Sequence, residues 1–240
     1  MFQRQSLICY FILHVFLMVS PVFASDTVDI IIVTTSGEKK IQRVPADVTM
    51  WGFAQSDQSG YKILSIENLD ELPNLERLEL INIDGISDYS FLSKAKKLNR
   101  LHITGCLVQD LKFIEDLVLL QYLFLGIYPQ NGFLQSIQNT SIDLSKLINI
   151  EFIGFSCQGH SGVPMFVNVK NKPFLDISNN QISTVSMVDV KLLSQYSLLN
   201  IRYNPIVDNP LELKKLHTIN CICNNSDPIP ENILRYYRGE

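Results

Sequence analysis

The sequence predicts an α/β solenoid of short repeats, with a parallel sheet on one side and irregular return segments on the other. The first observation is a pattern written twice. Leu75-x-x-Leu78-x-Leu80, followed by Ile86, Leu92 and Ala95, returns 23 positions later as Leu98-x-x-Leu101-x-Ile103, followed by Val108, Ile114 and Leu117. The second is that the pattern extends both ways. Units start at Val48, Leu75, Leu98, Leu120, Ile150, Lys172, Tyr196 and Leu216, spaced 27, 23, 22, 30, 22, 24 and 20 apart. A unit this small cannot bury its apolar side alone, so neighbours stack and merge their leucines into one core.

L-x-x-L-x-L at the head of a unit of this length marks a leucine-rich repeat, in which a short strand is followed by a turn and a return segment. Taken in order, residues 1–24 read as a secretory signal: Arg4 is the positive n-region, 6–19 the apolar run, and Pro21-Val22-Phe23-Ala24 the cleavage site. The apolar run is shorter than the roughly 20 residues a spanning helix needs. Residues 25–47 form an N-terminal β cap, a hairpin of 28–35 and 39–44 joined by Ser36-Gly37, which covers the open end of the repeat core. The repeat domain occupies 48–226, about eight repeats, with strands at 51–53, 78–80, 101–103, 123–125, 153–155, 175–177, 199–201 and 219–221.

The return segments support the register. Six and three positions before the next start stand Leu69/Leu72, Leu92/Ala95, Ile114/Leu117, Leu144/Leu147, Phe166/Val169, Val190/Leu193 and Pro210/Leu213, all non-polar. The ninth repeat position, where Asn or Cys satisfies the turn backbone, holds Cys106, Asn180, Asn204 and Asn224; Ile83 and Gln158 depart from it. The longest unit carries an inserted loop around 128–133. Asp227-Pro228-Ile229-Pro230 stops the last strand, and 227–240 is a C-terminal cap or tail containing a short helix at 232–238.

Leu75-Glu76-Arg77-Leu78-Glu79-Leu80, Gly85-Ile86-Ser87-Asp88-Tyr89-Ser90-Phe91-Leu92 and Leu175-Asp176-Ile177-Ser178-Asn179-Asn180-Gln181-Ile182 resemble the repeats of bacterial exported leucine-rich-repeat proteins of the internalin type. The resemblance covers about 48–223. It implies a curved right-handed horseshoe with a concave parallel sheet and a compact, often 3₁₀-helical, convex side. It also implies an adhesin-like role, with protein ligands held on the concave face, and brings no catalytic residue with it.

Composition and motifs narrow the chemistry. With 46% hydrophobic residues, 18% charged and a net charge of −4, the chain belongs with globular proteins. Its basic residues form no stripe that could follow a phosphate backbone, so nucleic acid is not an expected partner. No G-x-S-x-G, H-E-x-x-H or phosphate-loop pattern occurs, and His102, His160 and His217 have no nucleophile at readable spacing, so the chain is read as a non-enzyme. His217 lies near Cys221 and Cys223, but no second ligand cluster closes a tetrahedral site; neither metal nor cofactor is expected. Once Cys9 leaves with the signal, four reduced cysteines are expected. Cys221 and Cys223 stand too close for an easy bridge, and Cys157 and Cys223 lie three units apart, roughly 14 Å at about 4.8 Å per strand.

Strand residues alternate sides, so the residues between the core leucines line the concave face. One column reads Met50, Arg77, Arg100, Tyr122, Phe152, Phe174, Leu198, Thr218; the other reads Gly52, Glu79, His102, Phe124, Gly154, Asp176, Asn200, Asn220. The expected binding residues are Tyr122, Phe124, Phe152 and Phe174 as aromatic anchors, with Arg77, Arg100, His102 and Tyr203 around them. Left open, the aromatics would make a patch of several hundred Å², the size that marks an interaction site; the alternative is that the 128–133 insertion covers them. The leading function is an exported binding module for a protein partner of host or envelope, not inserted in the membrane, and located in the periplasm, on the outer surface or outside the cell. A carrier of a small apolar ligand and a self-associating envelope protein are the alternatives.

Overall fold

The computed structural model describes residues 26–55, 62–83, 85–86, 88–106, 108, 110–126, 141–156, 162–223 and 226–238. The proposed signal 1–24, the 128–133 insertion, Cys157, Gln158, His160 and Asn224 lie outside them. The main element is an eight-stranded parallel sheet: β3 (Met50–Ala54), β5 (Arg77–Ile81), β6 (Arg100–Thr104), β7 (Tyr122–Gly126), β9 (Phe152–Ser156), β11 (Phe174–Asp176), β12 (Leu198–Asn200) and β13 (Cys221–Ile222). Each strand pairs with the next unit's strand, so Leu78, Leu101, Leu123, Ile153, Leu175 and Leu199 lie in one buried row. A separate two-stranded parallel sheet is made by β8 (Ile142–Asp143) and β10 (Phe166–Val167), and the chain is an α/β, solenoid-like fold built on the leucine row.

Seven strands fall within about a residue of the positions the spacing predicts; the eighth does not. Leu199 pairs with Cys221, 22 residues on, so the last interval is 22 rather than 20. Leu216 and Ile219 are buried, but in the return segment and the turn before the strand. Both registers therefore place apolar residues inside. Ile222, not Asn220, stands opposite Asn200.

The return segments are 3₁₀-helical in the early units, at Leu69–Glu71, Ser90–Lys94 and Lys112–Asp116. Later they include α-helical turns, α1 (Met187–Leu193) and α2 (Pro210–Leu213). Helix α1 is set by a capping box: Ser186 Oγ accepts from Asp189 N–H at 3.2 Å while Asp189 Oδ2 accepts from Ser186 N–H at 2.7 Å. Between strand and return, Asn82, Gly105, Asn179 and Tyr203 take left-handed backbone angles. At Gly105 a Cβ would sit 2.1 Å from Asn82 Oδ1, so a larger residue there would have to displace the Asn82 side chain as well as take the left-handed angle. The ninth-position side chains then tie each turn to the unit before. Asn204 Nδ2 donates to Ile201 O at 3.0 Å and to Ile177 O at 2.9 Å, Asn180 Nδ2 donates to Ile177 O and Phe155 O, and Cys106 Sγ reaches Leu80 O at 3.6 Å.

At the N-terminal end, β1 (Thr27–Thr34) pairs antiparallel with β2 (Lys39–Pro45). The hairpin predicted there acquires a third strand, β4 (Ile63–Glu67), from within the first repeat unit. Ile30, Ile32, Ile63 and Ile66 are buried and continue the repeat core.

The expectation of four reduced thiols is overturned, since Cys221 and Cys223 are joined as a disulfide. Residues two apart project to the same side of an extended chain, and their Cα atoms are 5.8 Å apart, within ordinary disulfide reach. Cys106 is buried, with its Sγ against the Leu80 and Thr104 carbonyls.

Candidate binding face

A parallel sheet is normally covered on both faces. Here the leucine rows cover one; the other, the second face, carries the two polar and aromatic columns. Their side chains change along the sheet. At the β3 end Met50 is 57% exposed and Gly52 is bare. On β5, Arg77 Nη2 donates to Glu79 Oε1 at 2.6 Å. On β6, the Arg100 guanidinium lies over the Tyr122 ring at 5.7 Å, and His102 meets Phe124 edge-on with centroids 4.9 Å apart. From β7 onward the face is a band of rings: Tyr122 stacks on Phe152 at 4.7 Å, and Phe152 meets Phe174 at 5.4 Å. Gly154 makes room for them, because a Cβ there would come within 2.4 Å of Phe124.

The band is not open. Helix α3 (Glu231–Arg238) lies against it, with Ile233 buried among Tyr122, Phe152 and Phe174, and with Ile229 and Tyr237 packed around them. The Tyr237 ring meets Phe152 edge-on at 5.6 Å and Phe174 at 6.4 Å. Its hydroxyl donates to Asp176 Oδ2, which is buried in the floor. Asn200 Nδ2 donates back to Tyr237 Oη at 3.5 Å, and Arg202 Nε donates to Asn200 Oδ1 at 3.2 Å. Arg202 Nη1 also holds Asp227 O at 3.3 Å, which fixes where the chain leaves for the helix. Burial raises the Asp176 pKa above the usual carboxylate range, opposed by donation from Tyr237 and Ser178.

The aromatic anchors therefore divide. Tyr122, Phe152 and Phe174 are buried beneath α3, and Phe124 is half-buried at the band's margin. Arg77, Arg100 and His102 are half-buried beside it. Tyr203 does not join them; it sits in the turn after β12, 46% exposed, under the Arg202 guanidinium. The expected open patch is corrected in this respect: the cover the structure shows is the C-terminal helix. Tyr237 and Ile233 escaped the sequence reading, although their spacing of four puts them on one helix face.

His102 is the titratable group that the second face shifts most simply. Its Nε2 is buried with no hydrogen-bond partner among the described residues, and burial lowers its pKa; the Glu79 carboxylate raises it and the Arg77 guanidinium lowers it further. A folded pKa below the unfolded value of about 6.5 means that unfolding takes up a proton. The resulting stability is complete above about pH 6.5 and is lost as pH falls toward the depressed folded value. We expect His102→Gln to flatten the decline in melting temperature between pH 7 and 5; an unchanged profile would show that folding leaves the His102 pKa where it stands in the unfolded chain.

Beside α3 a cleft of about 450 Å³ opens among Gln121, Asn149, Glu151, Asn171 and Arg235, where Arg235 Nη2 pairs with Glu151 Oε2 at 3.1 Å. Among the described residues no group of three or more His, Cys, Asp or Glu could hold a metal ion. Nor is any described helix long and apolar enough to cross a membrane.

No family model matches the sequence, and no curated protein matches it. Among solved structures, the functional domain of InlJ from Listeria monocytogenes, which includes a cysteine ladder, is similar over 76% of this chain at 15% identity and a TM-score of 0.34. The chain spans about half of that structure, 51% of its length. A likeness so remote assigns neither family nor partner.

Proposed function

We propose that this chain is an exported, non-catalytic module that binds a protein partner through the second face of its parallel sheet. The observation that carries the reading is the face itself: a continuous aromatic band already shaped to hold a helix, bordered by Arg77, Glu79, Arg100 and His102 and by the exposed Met50. Rings in the centre with charges at the rim is the usual anatomy of a protein-binding surface, where aromatics anchor and charges select. The leader-like segment 1–24 supports export, and so does the Cys221–Cys223 bridge, a bond that oxidising compartments preserve.

The test uses the full chain, immobilised, with extracts of the envelope and surroundings it would meet. A Met50→Glu/Arg77→Ala variant changes the rim without touching a core leucine. We expect a protein retained by the wild-type chain to be retained at least tenfold less by the variant. Equal retention would move the site off this face.

A further inference from the structure

We propose that the aromatic band is a groove for an amphipathic helix of the partner, and that α3 is its resident occupant, displaced when the partner's helix arrives. This rests on the reading that the second face binds protein. Three features of the structure support it. First, α3 has eight residues, and a helix that short is not stable in water by itself, so its order comes from the groove. The groove therefore organises a helix from a segment that has little helical order of its own.

Second, the docking is a side-chain readout of the helix-in-groove kind. Ile233 enters among Tyr122, Phe152 and Phe174; one turn on, Tyr237 lies against Phe152 and Phe174 and donates a hydrogen bond from its hydroxyl to buried Asp176. Arg235 reaches Glu151 at the rim. The groove thus specifies an aliphatic residue, a basic residue two positions later and a hydroxyl-bearing ring four positions later. A helix lacking that hydroxyl would take one donor from buried Asp176 and leave it the one from Ser178.

Third, the resident is held so that it can leave. The segment 228–230, Pro228-Ile229-Pro230, separates α3 from Asp227, where Arg202 anchors the chain. Prolines end regular structure there, so α3 joins the repeat fold through a short non-helical tether, whose Ile229 packs on the band with it. Its ion pair to the sheet, Arg235–Glu151, has both side chains about half exposed, where such pairs hold little. A tethered occupant weakens a competitor's apparent affinity by its own local concentration, so undocking it should raise that affinity.

The probe is a fluorescent synthetic peptide of residues 227–238, read by anisotropy against the full chain. We expect full-length Ile233→Asp/Tyr237→Ser to bind it at least tenfold more tightly than wild type, and a peptide carrying Ile233→Asp not to bind. In the wild-type chain, a hundredfold excess of peptide should speed amide exchange across 231–238 while β7, β9 and β11 stay protected. The proposal is overturned if the variant keeps its fold but binds no better than wild type, or if the variant loses the fold altogether, which would make α3 permanent core. It is also overturned if 231–238 stays protected under excess peptide. Should these fail while Met50→Glu/Arg77→Ala still loses the captured protein, the binding face stands and only the resident helix falls.

Discussion

Leu101→Asp is expected to prevent folding. Leu101 is fully buried between Leu78 and Leu123 in the central row of the sheet. The change removes an aliphatic side chain from a close-packed row, about 2–5 kcal/mol for truncation alone. It also places a carboxylate among leucines that offer it no partner, several kcal/mol more even after its pKa adjusts. The sum is comparable with the whole stability of an ordinary domain, about 5–15 kcal/mol. Circular dichroism of the purified variant should show loss of the native spectrum and no cooperative melt. A native spectrum with an unchanged melt would mean that the register is wrong at β6, and with it the row.

Phe152→Ala has the second-largest expected effect, a loss of stability that an open concave face does not suggest. Were Phe152 on an open concave face, replacing it and Phe124 with Ser would leave the melting temperature almost unchanged and abolish binding. In the structure Phe152 is fully buried and touches Tyr122, Phe174 and Tyr237. Truncating such a ring costs about 3–5 kcal/mol. At roughly 2–4 °C per kcal/mol for a chain of this size, the melting temperature should drop by about 10 °C. Because Phe152 forms part of the floor under α3, amide exchange across 231–238 should accelerate more than across β5 and β6. A drop of under about 2 °C would show that α3 does not cover this ring in solution.

The difference between those two variants shows what a sequence of this kind encodes legibly. Leucine rows repeat because every unit meets the same neighbour, so Leu78, Leu101 and Leu123 could be placed from spacing alone. The eighth strand slipped by two because Leu216 and Ile219 satisfy the apolar pattern in either register; only the pairing of Leu199 with Cys221 decides it. Strand β4 went unseen because its Ile63 and Ile66 serve an antiparallel sheet that breaks the repeat, which a periodic reading cannot anticipate. The columns of the second face were correct through β12, yet alternation tells only which side a residue takes, never what lies over it. The cover comes from Ile233 and Tyr237, 81 and 85 positions after Phe152, and nothing local in 231–238 names the destination.

That long reach bears on the order in which the molecule is made. Stacked units contact mainly their neighbours, so each can settle soon after it emerges from the ribosome. Helix α3 breaks that economy. Tyr237 bonds Asp176 across 61 positions and Arg235 pairs with Glu151 across 84, so the rings of β7, β9 and β11 emerge well before their lid. For that interval the nascent chain presents a bare aromatic stripe, the kind of surface that recruits chaperones or other chains. The last segment to be synthesised in the described fold is therefore the one that ends the period of greatest exposure.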